Sequence, residues 1–248
     1  MRNILAIAQR ELKAYFASPI AYVVMGIFAL VFGAFFYSIL QFFVRQSLQG
    51  AQFGPSSINV NQMMIRPVIL NTSIVVLFTV PLLTMRTFAE EKRSGTIELL
   101  LTSPITDWEL VLGKFLGAVS LFGITLLVTL VDVAVLFYFG NPEWKQIATS
   151  YLGLLLMASC FIAVGLFISS LTKNQIVAGF ITFAAFLLLW ILNWFGESPI
   201  ITALSITDHF EDFTKGIIDT KHLLYYASFI GFGLFLTAKS IDAERWNG

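Results

Sequence analysis

Six long apolar stretches, separated by shorter polar segments, dominate the pattern of the chain. A membrane-spanning helix needs roughly 20 mostly apolar residues, and these stretches do not alternate as the strands of a membrane barrel would. Helices also satisfy their own backbone groups in lipid. The pattern therefore predicts an all-α membrane protein with six transmembrane helices, at residues 20–44, 68–85, 112–139, 148–171, 176–195 and 222–238.

Three flanking segments are amphipathic or polar. Residues 3–16 carry apolar side chains at helical spacing, which predicts a helix lying in the membrane interface, within a segment 1–19 that ends at Ser18-Pro19. Residues 45–67 are polar and predict an ordered loop or a short helix. Residues 196–221 mix apolar and acidic side chains, which predicts amphipathic helices that re-enter the outer leaflet. The rest of the chain, 20–248, is predicted to be one six-helix transmembrane domain.

Composition agrees with the membrane class and sets the orientation. Hydrophobic residues make up 57% of the 248 residues and charged residues 12%, against roughly 25% charged in soluble domains. Lys and Arg favour cytoplasmic loops, and an inside N-terminus places ten of them inside and five outside. We therefore expect a multi-pass protein of the cytoplasmic (inner) membrane with both termini in the cytoplasm. The net charge is zero, so there is no electrostatic case for nucleic acid.

Residues 86–114 form a charged island between the second and third spans. The island holds nine of the 30 charged residues. A short helix over residues 88–101, a turn at Ser103-Pro104 and a capping box at Thr106 and Glu109 are predicted. The alternative is an ordinary polar loop. As a docking surface, the island would use the charged residues Glu90, Glu91, Arg93 and Glu98 and an exposed apolar face of Ile97, Leu100 and Leu101.

Signatures of catalysis are missing from the sequence. It contains no Gly-x-x-x-x-Gly-Lys-Ser/Thr loop for phosphate, so ATP would have to be handled by another polypeptide. Cys160 is a lone cysteine in an apolar run, and His209 and His222 have no metal-ligand partners at useful spacing. We therefore expect no enzyme activity, cofactor or metal in this chain.

Two features of the apolar stretches are candidates for transport chemistry. Asp132 lies inside the third stretch and shares a helical face with Thr125 and Thr129, so the three could line a polar pathway. The alternative is a structural or interfacial role, since Asp132 lies about 18 positions beyond Lys114. Pro81 could kink the second span as a hinge, or only assist packing.

Small residues four positions apart predict close helix packing in the fourth span. The pairs are Ser159 with Ala163 and Gly165 with Ser169. Such spacing lets two helix backbones approach closely. We expect the contact within one protomer rather than between protomers.

Three segments resemble ABC-2-type permeases, the membrane subunits of type V ABC exporters. Residues 90–104 (EEKRSGTIELLLTSP), followed by Glu109 and Gly113-Lys114, are similar to the cytoplasmic signature of that family. Residues 16–24 (FASPIAYVV) and 209–219 (HFEDFTKGIID) resemble its gliding-motility-type branch. The resemblance implies a dimer, with a second copy or a related permease, bound to two cytoplasmic ABC ATPase subunits that hold ATP and Mg²⁺. It also implies that residues 1–19 form a connecting helix and that residues of about 88–108 form the coupling helix that binds the ATPase. An accessory protein outside the membrane is also implied as a possible partner, besides membrane lipid.

Two other functions fit the pattern. A secondary transporter would need coupling-ion sites near the midplane, often in repeated halves. An ATP-regulated assembly or scaffold subunit would show the same docking surface without moving cargo. The favoured prediction is a permease subunit that couples ATP hydrolysis in a partner chain to export of an unidentified cargo.

Overall fold

The computed structural model describes residues 2–50, 60–102, 104–139, 142–192 and 204–247, nearly all of them helical. No strand occurs within these ranges. The π-helical turn Asn61–Ile65 leads directly into the third helix. The helices are α1 (Arg2–Ala17), α2 (Pro19–Gly50), α3 (Arg66–Thr84), α4 (Ala89–Ser94), α5 (Ile97–Leu101), α6 (Asp107–Phe139), α7 (Trp144–Leu171), α8 (Gln175–Ile191), α9 (Ile206–Thr214) and α10 (Thr220–Asn247).

The prediction of an all-α membrane protein is confirmed. Five helical segments are long and apolar enough to cross a membrane. They are Pro19–Leu48, Asn61–Ser94, Asp107–Tyr138, Trp144–Leu171 and Thr220–Arg245. The shorter α8 covers most of the predicted span 176–195, whose last three residues lie outside the described part. The count of six spans therefore stays a prediction.

Helix α7 lies at the centre of the bundle because its small residues admit its neighbours. A side-chain carbon built at Gly165 would lie 2.3 Å from the Thr84 hydroxyl of α3. A side-chain carbon built at Gly233 of α10 would lie 3.0 Å from Ala163 Cβ, which is also a close approach. The predicted close packing within one protomer is thus confirmed. The predicted tight hairpin also forms, since α8 begins one residue after Asn174, whose side chain accepts a hydrogen bond from Ile176 N at 3.0 Å.

Helix α1 lies along the first turns of α6, and the two helices run in the same direction. Asn3 donates a hydrogen bond to Glu109, and side-chain carbons built at Gly113 and Gly117 would collide with Ile7 and Glu11. The absence of side chains at these two glycines lets α1 approach. A helix therefore exists at nearly the predicted bounds of 3–16, and it packs against α6. Its role as a connecting helix in the membrane interface stays a prediction.

The two ends of the helix bundle are built from different helices. Helix α1, the island and the end of α10 lie together at what we call the charged end, joined by ion pairs of Glu11, Glu91 and Glu244. The opposite end, called the far end, holds α9 and the starts of α3 and α7. Arg86 and Arg66 flank α3 and are separated by 20 positions. At 1.5 Å per residue this is about 30 Å, the thickness of a bilayer's hydrocarbon core.

Candidate docking site on the charged island

The island folds into two short helices rather than one. Gly95 has a positive φ of 72°, which L side chains rarely adopt, and it ends α4 after Ser94. Helix α5 then begins at Ile97. The predicted capping box at the start of α6 is confirmed: Glu109 N donates to Thr106 Oγ1, and Thr106 N donates to Glu109 Oε2, both at 3.2 Å. Ser103 of the predicted turn lies outside the described residues.

Ser169 of α7 fixes the start of α4. Its hydroxyl accepts hydrogen bonds from the backbone N–H groups of Phe88 and Ala89, each at 3.1 Å, and Ser169 is fully buried. The first N–H groups of a helix have no partner within the helix, so a side-chain acceptor there stabilises the end. The island is therefore anchored on the central helix of the bundle.

Lys114 of α6 joins three segments of the charged end. Only 1% of the residue is exposed. Its Nζ donates to Glu91 Oε1 at 2.7 Å, to Glu11 Oε1 at 3.0 Å and to the Thr87 carbonyl at 3.0 Å. An ammonium has three donors, so all three are used. The Lys114 cluster (Lys114, Glu11, Glu91 and the Thr87 carbonyl) thus ties α1, α4 and the end of α3 to α6.

The end of α10 binds the island from the other side. Lys92 pairs with Glu244, and Arg245 pairs with Asp107 at 3.2 Å. Near α1, Arg86 makes a bidentate contact with Glu90. These ion pairs leave little freedom for α4 to move alone. A force on α4 would reach α6, α7 and α10 together.

Tyr15 adds a contact between α1 and α3. Burial raises the pKa of Tyr15 to about 12, so the hydroxyl keeps its proton at physiological pH. It donates a hydrogen bond to the Leu83 carbonyl at 3.0 Å. Between α1 and the island lies a recess of about 460 Å³, walled by Tyr15 and by the charged side chains of Arg10, Arg86 and Glu90.

The island residues that face outward differ from the predicted ones. Ile97, expected on the exposed apolar face, is 5% exposed, and Leu99, which the sequence reasoning missed, is 71% exposed. The reason is Gly95: it breaks the assumed continuous helix and shifts the helical phase that follows. Of the remaining predicted apolar residues, Leu100 is half-buried and the side chain of Leu101 lies outside the description.

The charged residues of the island divide in a similar way. Glu91, predicted to be part of the docking surface, lies instead in the Lys114 cluster, and Lys92 is held by Glu244. Glu90 is half-exposed and paired with Arg86. Arg93 and Glu98 are exposed. The exposed charged and large apolar side chains of α4 and α5 are therefore Arg93, Glu98 and Leu99, and we call these three the island surface.

Comparison with known proteins identifies the family. Residues 5–235 match the family described as ABC-2 family transporter protein. The chain belongs to this family. It is also 29% identical over 146 residues to the probable multidrug ABC transporter permease YbhR of Escherichia coli strain K12, and equally to that of strain O157:H7. The matched part covers 56% of this chain and 39% of the length of each relative.

Membership confirms the resemblance to ABC-2 permeases and establishes a multi-pass transporter membrane subunit. The predicted pathway residues of this permease do not share an open cavity. Thr125 and Thr129 are fully buried, and their hydroxyls donate to the carbonyls of Leu121 and Leu126. Asp132 is half-exposed beside Gly33 of α2, and within the described residues it forms no hydrogen bond or ion pair. A role for these three residues in a pathway stays a prediction.

Pro81 lies inside α3, and the helix continues past it to Thr84. Met85 N donates to the Pro81 carbonyl at 2.9 Å, so the backbone departs from the helix only after this point. Pro81 is buried and borders an apolar groove of about 360 Å³ between α3 and α8, with Phe78 and Phe180 exposed on its walls. A hinge at Pro81 remains untested.

The two histidines meet at the far end, which their spacing did not indicate. His209 Nδ1 and His222 Nδ1 lie 2.6 Å apart, so one donates to the other, and His222 Nε2 contacts Asp212 Oδ2 at 3.0 Å. Among the described residues no group of three or more ligands is arranged to hold a metal ion. A hydrogen bond from Lys215 lowers the pKa of Asp212, so this carboxylate stays ionised. We call His209, His222 and Asp212 the histidine cluster; it joins α9 to α10.

Proposed function

We propose that the chain is the permease subunit of an ATP-driven exporter. Two copies, or this chain and a related permease, form the membrane path and bind two ABC ATPase subunits, which hold ATP and Mg²⁺. The observation that supports this best is the island surface: an exposed leucine and two exposed charges on short helices that are fixed to the rest of the bundle. Apolar contact provides affinity there, and the charges provide specificity.

The coupling is mechanical. When the ATPase pair closes on ATP, α4 and α5 move with it. The Lys114 cluster passes this movement to α6 and α1, and Ser169 passes it to α7. Because these links are short and buried, the helices respond as one unit rather than through flexible side chains.

We also propose an orientation of the permease in the membrane and a chemical class for its cargo. The charged end faces the cytoplasm of an inner membrane, in line with the excess of Lys and Arg there. The groove between α3 and α8 is almost wholly apolar, and the YbhR relatives are named as probable multidrug permeases. Both observations support an apolar or amphipathic cargo.

The gliding-motility-type branch and an accessory partner rest on the resemblance alone. Cargo-stimulated ATP hydrolysis in liposomes would distinguish export from an assembly role.

A Leu99→Asp substitution is expected to prevent binding of the ATPase without unfolding the permease. Leu99 is 71% exposed, so the folded chain loses little, whereas a docked interface would bury a charge without a partner. Co-purification of the ATPase subunit with the tagged permease is expected to fall at least about tenfold.

Leu48→Asp provides the matched control, since Leu48 is 67% exposed and lies at the far end of the bundle. This variant should retain the ATPase. Equal retention by both variants, with unchanged thermal melting, would rule out docking at the island surface.

A further inference from the structure

A second groove lies at the far end, between α9 and the first turns of α10, and no step of the proposed transport uses it. It encloses about 870 Å³, within the roughly 300–1,000 Å³ of small-molecule sites. Its mouth is lined by Asp208, Asp212 and Lys221, and its inner wall by Tyr225, Phe229 and Phe232. The groove is thus charged at one end and apolar along its length.

The depth of the groove matches one leaflet of a bilayer. Helix α9 is held at the far end of α3 by the ion pair between Glu211 and Arg66, and Arg66 lies 20 positions, or about 30 Å of helix, from Arg86 at the charged end. From Lys221 to Phe232, α10 advances 11 positions, or about 16 Å. Half of a hydrocarbon core is about 15 Å. The charged mouth therefore lies at headgroup depth, and the apolar wall runs beside the acyl chains.

The charges at the mouth suit a headgroup that carries both signs. The carboxylates of Asp208 and Asp212 can accept hydrogen bonds from an ammonium. The ammonium of Lys221 has no side-chain hydrogen bond or ion pair among the described residues, so it is available to a phosphate. Lys215 pairs with Asp212 at 3.0 Å and with Glu211 at 3.3 Å, and Glu211 also pairs with Arg66, so charges of both signs surround the mouth. A purely anionic headgroup would meet two carboxylates.

The histidine cluster gives the mouth a fixed shape. His209 and His222 are both buried, and His209 stacks on the ring of Tyr225 with 3.9 Å between ring centroids. Tyr225 in turn donates a hydrogen bond to the Leu204 carbonyl at 2.9 Å. These contacts hold α9 against α10 in a fixed arrangement at the mouth without a ligand, so binding would need little reorganisation.

We propose that this groove binds a phospholipid with a phosphoethanolamine headgroup, from the leaflet opposite the island surface. The ammonium lies between Asp208 and Asp212, the phosphate contacts Lys221, and an acyl chain lies against Phe229 and Phe232. A primary ammonium donates hydrogen bonds to carboxylates, which a trimethylated ammonium cannot do. This lipid site is independent of ATPase docking, so either can fail without the other.

Native mass spectrometry of the purified full chain tests this site, with phosphatidylethanolamine, phosphatidylcholine and phosphatidylglycerol of identical acyl chains. Wild type is expected to retain one phosphatidylethanolamine most strongly. Lys221→Glu removes the phosphate contact and should weaken that binding about tenfold. Ser228→Trp places a large side chain in the groove and should do the same without changing a charge.

Lys145→Glu is the matched control, because Lys145 is exposed at the same end on α7 and outside the groove. It should bind lipid as wild type does. Equal binding of the three lipids by wild type, or undiminished binding by folded Ser228→Trp, would overturn the site. Full competition by water-soluble phosphoethanolamine would also overturn it, since the ligand would then not be a lipid.

Discussion

Lys114→Met is expected to destabilise the protein by about 3–5 kcal/mol, because it removes the buried cation from Glu11 and Glu91 and leaves them only the exposed Arg10 as a partner. For a chain of this size, a loss of that order lowers the melting temperature by at least about 6 °C. The substitution also disconnects α1 and α4 from α6, so ATP hydrolysis by the bound ATPase should become independent of cargo. Thermal melting of the purified permease measures the first effect, and ATPase assays in liposomes measure the second.

The controls separate the cluster from a general loss of charge. Lys13→Met removes an exposed lysine from α1, and we expect it to melt like wild type. Adding Glu11→Gln and Glu91→Gln to Lys114→Met replaces the two carboxylates that lost the lysine by neutral amides. The triple variant should regain much of the stability, but ATP hydrolysis should remain independent of cargo. A Lys114→Met protein with wild-type melting would show that the cluster contributes nothing.

Gly165→Ala is expected to cost about 1–3 kcal/mol, since the added methyl would lie 2.3 Å from Thr84 Oγ1 and 2.7 Å from Thr84 Cβ. Helix α7 would have to move away from α3, and the contact between Ser169 and α4 would move with it. The melting temperature reports the cost.

Gly231→Ala is the matched control: nothing lies within 4 Å of the added carbon, and alanine favours helix more than glycine does. This variant should be neutral or slightly more stable. Combining Gly165→Ala with Thr84→Gly removes the clashing atoms, and recovery of stability is expected. If Gly165→Ala and Gly231→Ala melt alike, the close approach of α3 and α7 is not tight.

Short-range signals in the sequence predicted much of the fold. The capping box of Thr106 and Glu109 spans three positions, and the small-residue pair Gly165 and Ser169 spans four, so each is visible in a local window. For the same reason, the apolar runs predicted the positions of the long helices that the described residues contain. Each of these features depends on neighbours along the chain.

The Lys114 cluster depends instead on residues far apart in sequence. Glu11 is 103 positions from Lys114 and Glu91 is 23 positions away, so only the folded bundle shows that they meet. The histidine pair is separated by 13 positions and a turn between helices. Ile97 and Leu99 were misplaced by a local feature, Gly95, whose left-handed conformation resets the helical phase. Gly95 itself was the signal that could have predicted the exposure of Leu99, because a glycine of this kind ends one helix and lets a new one begin at Ile97.

Crosslinking from position 99 tests docking at the island surface most directly. A photoreactive amino acid would replace Leu99 in one variant and Trp144, exposed at the far end, in another, each co-expressed with the ATPase subunit in intact membranes. The expected result is a permease–ATPase adduct from position 99 and none from position 144. An adduct from position 144 without one from position 99 would contradict the docking of an ATPase on the island.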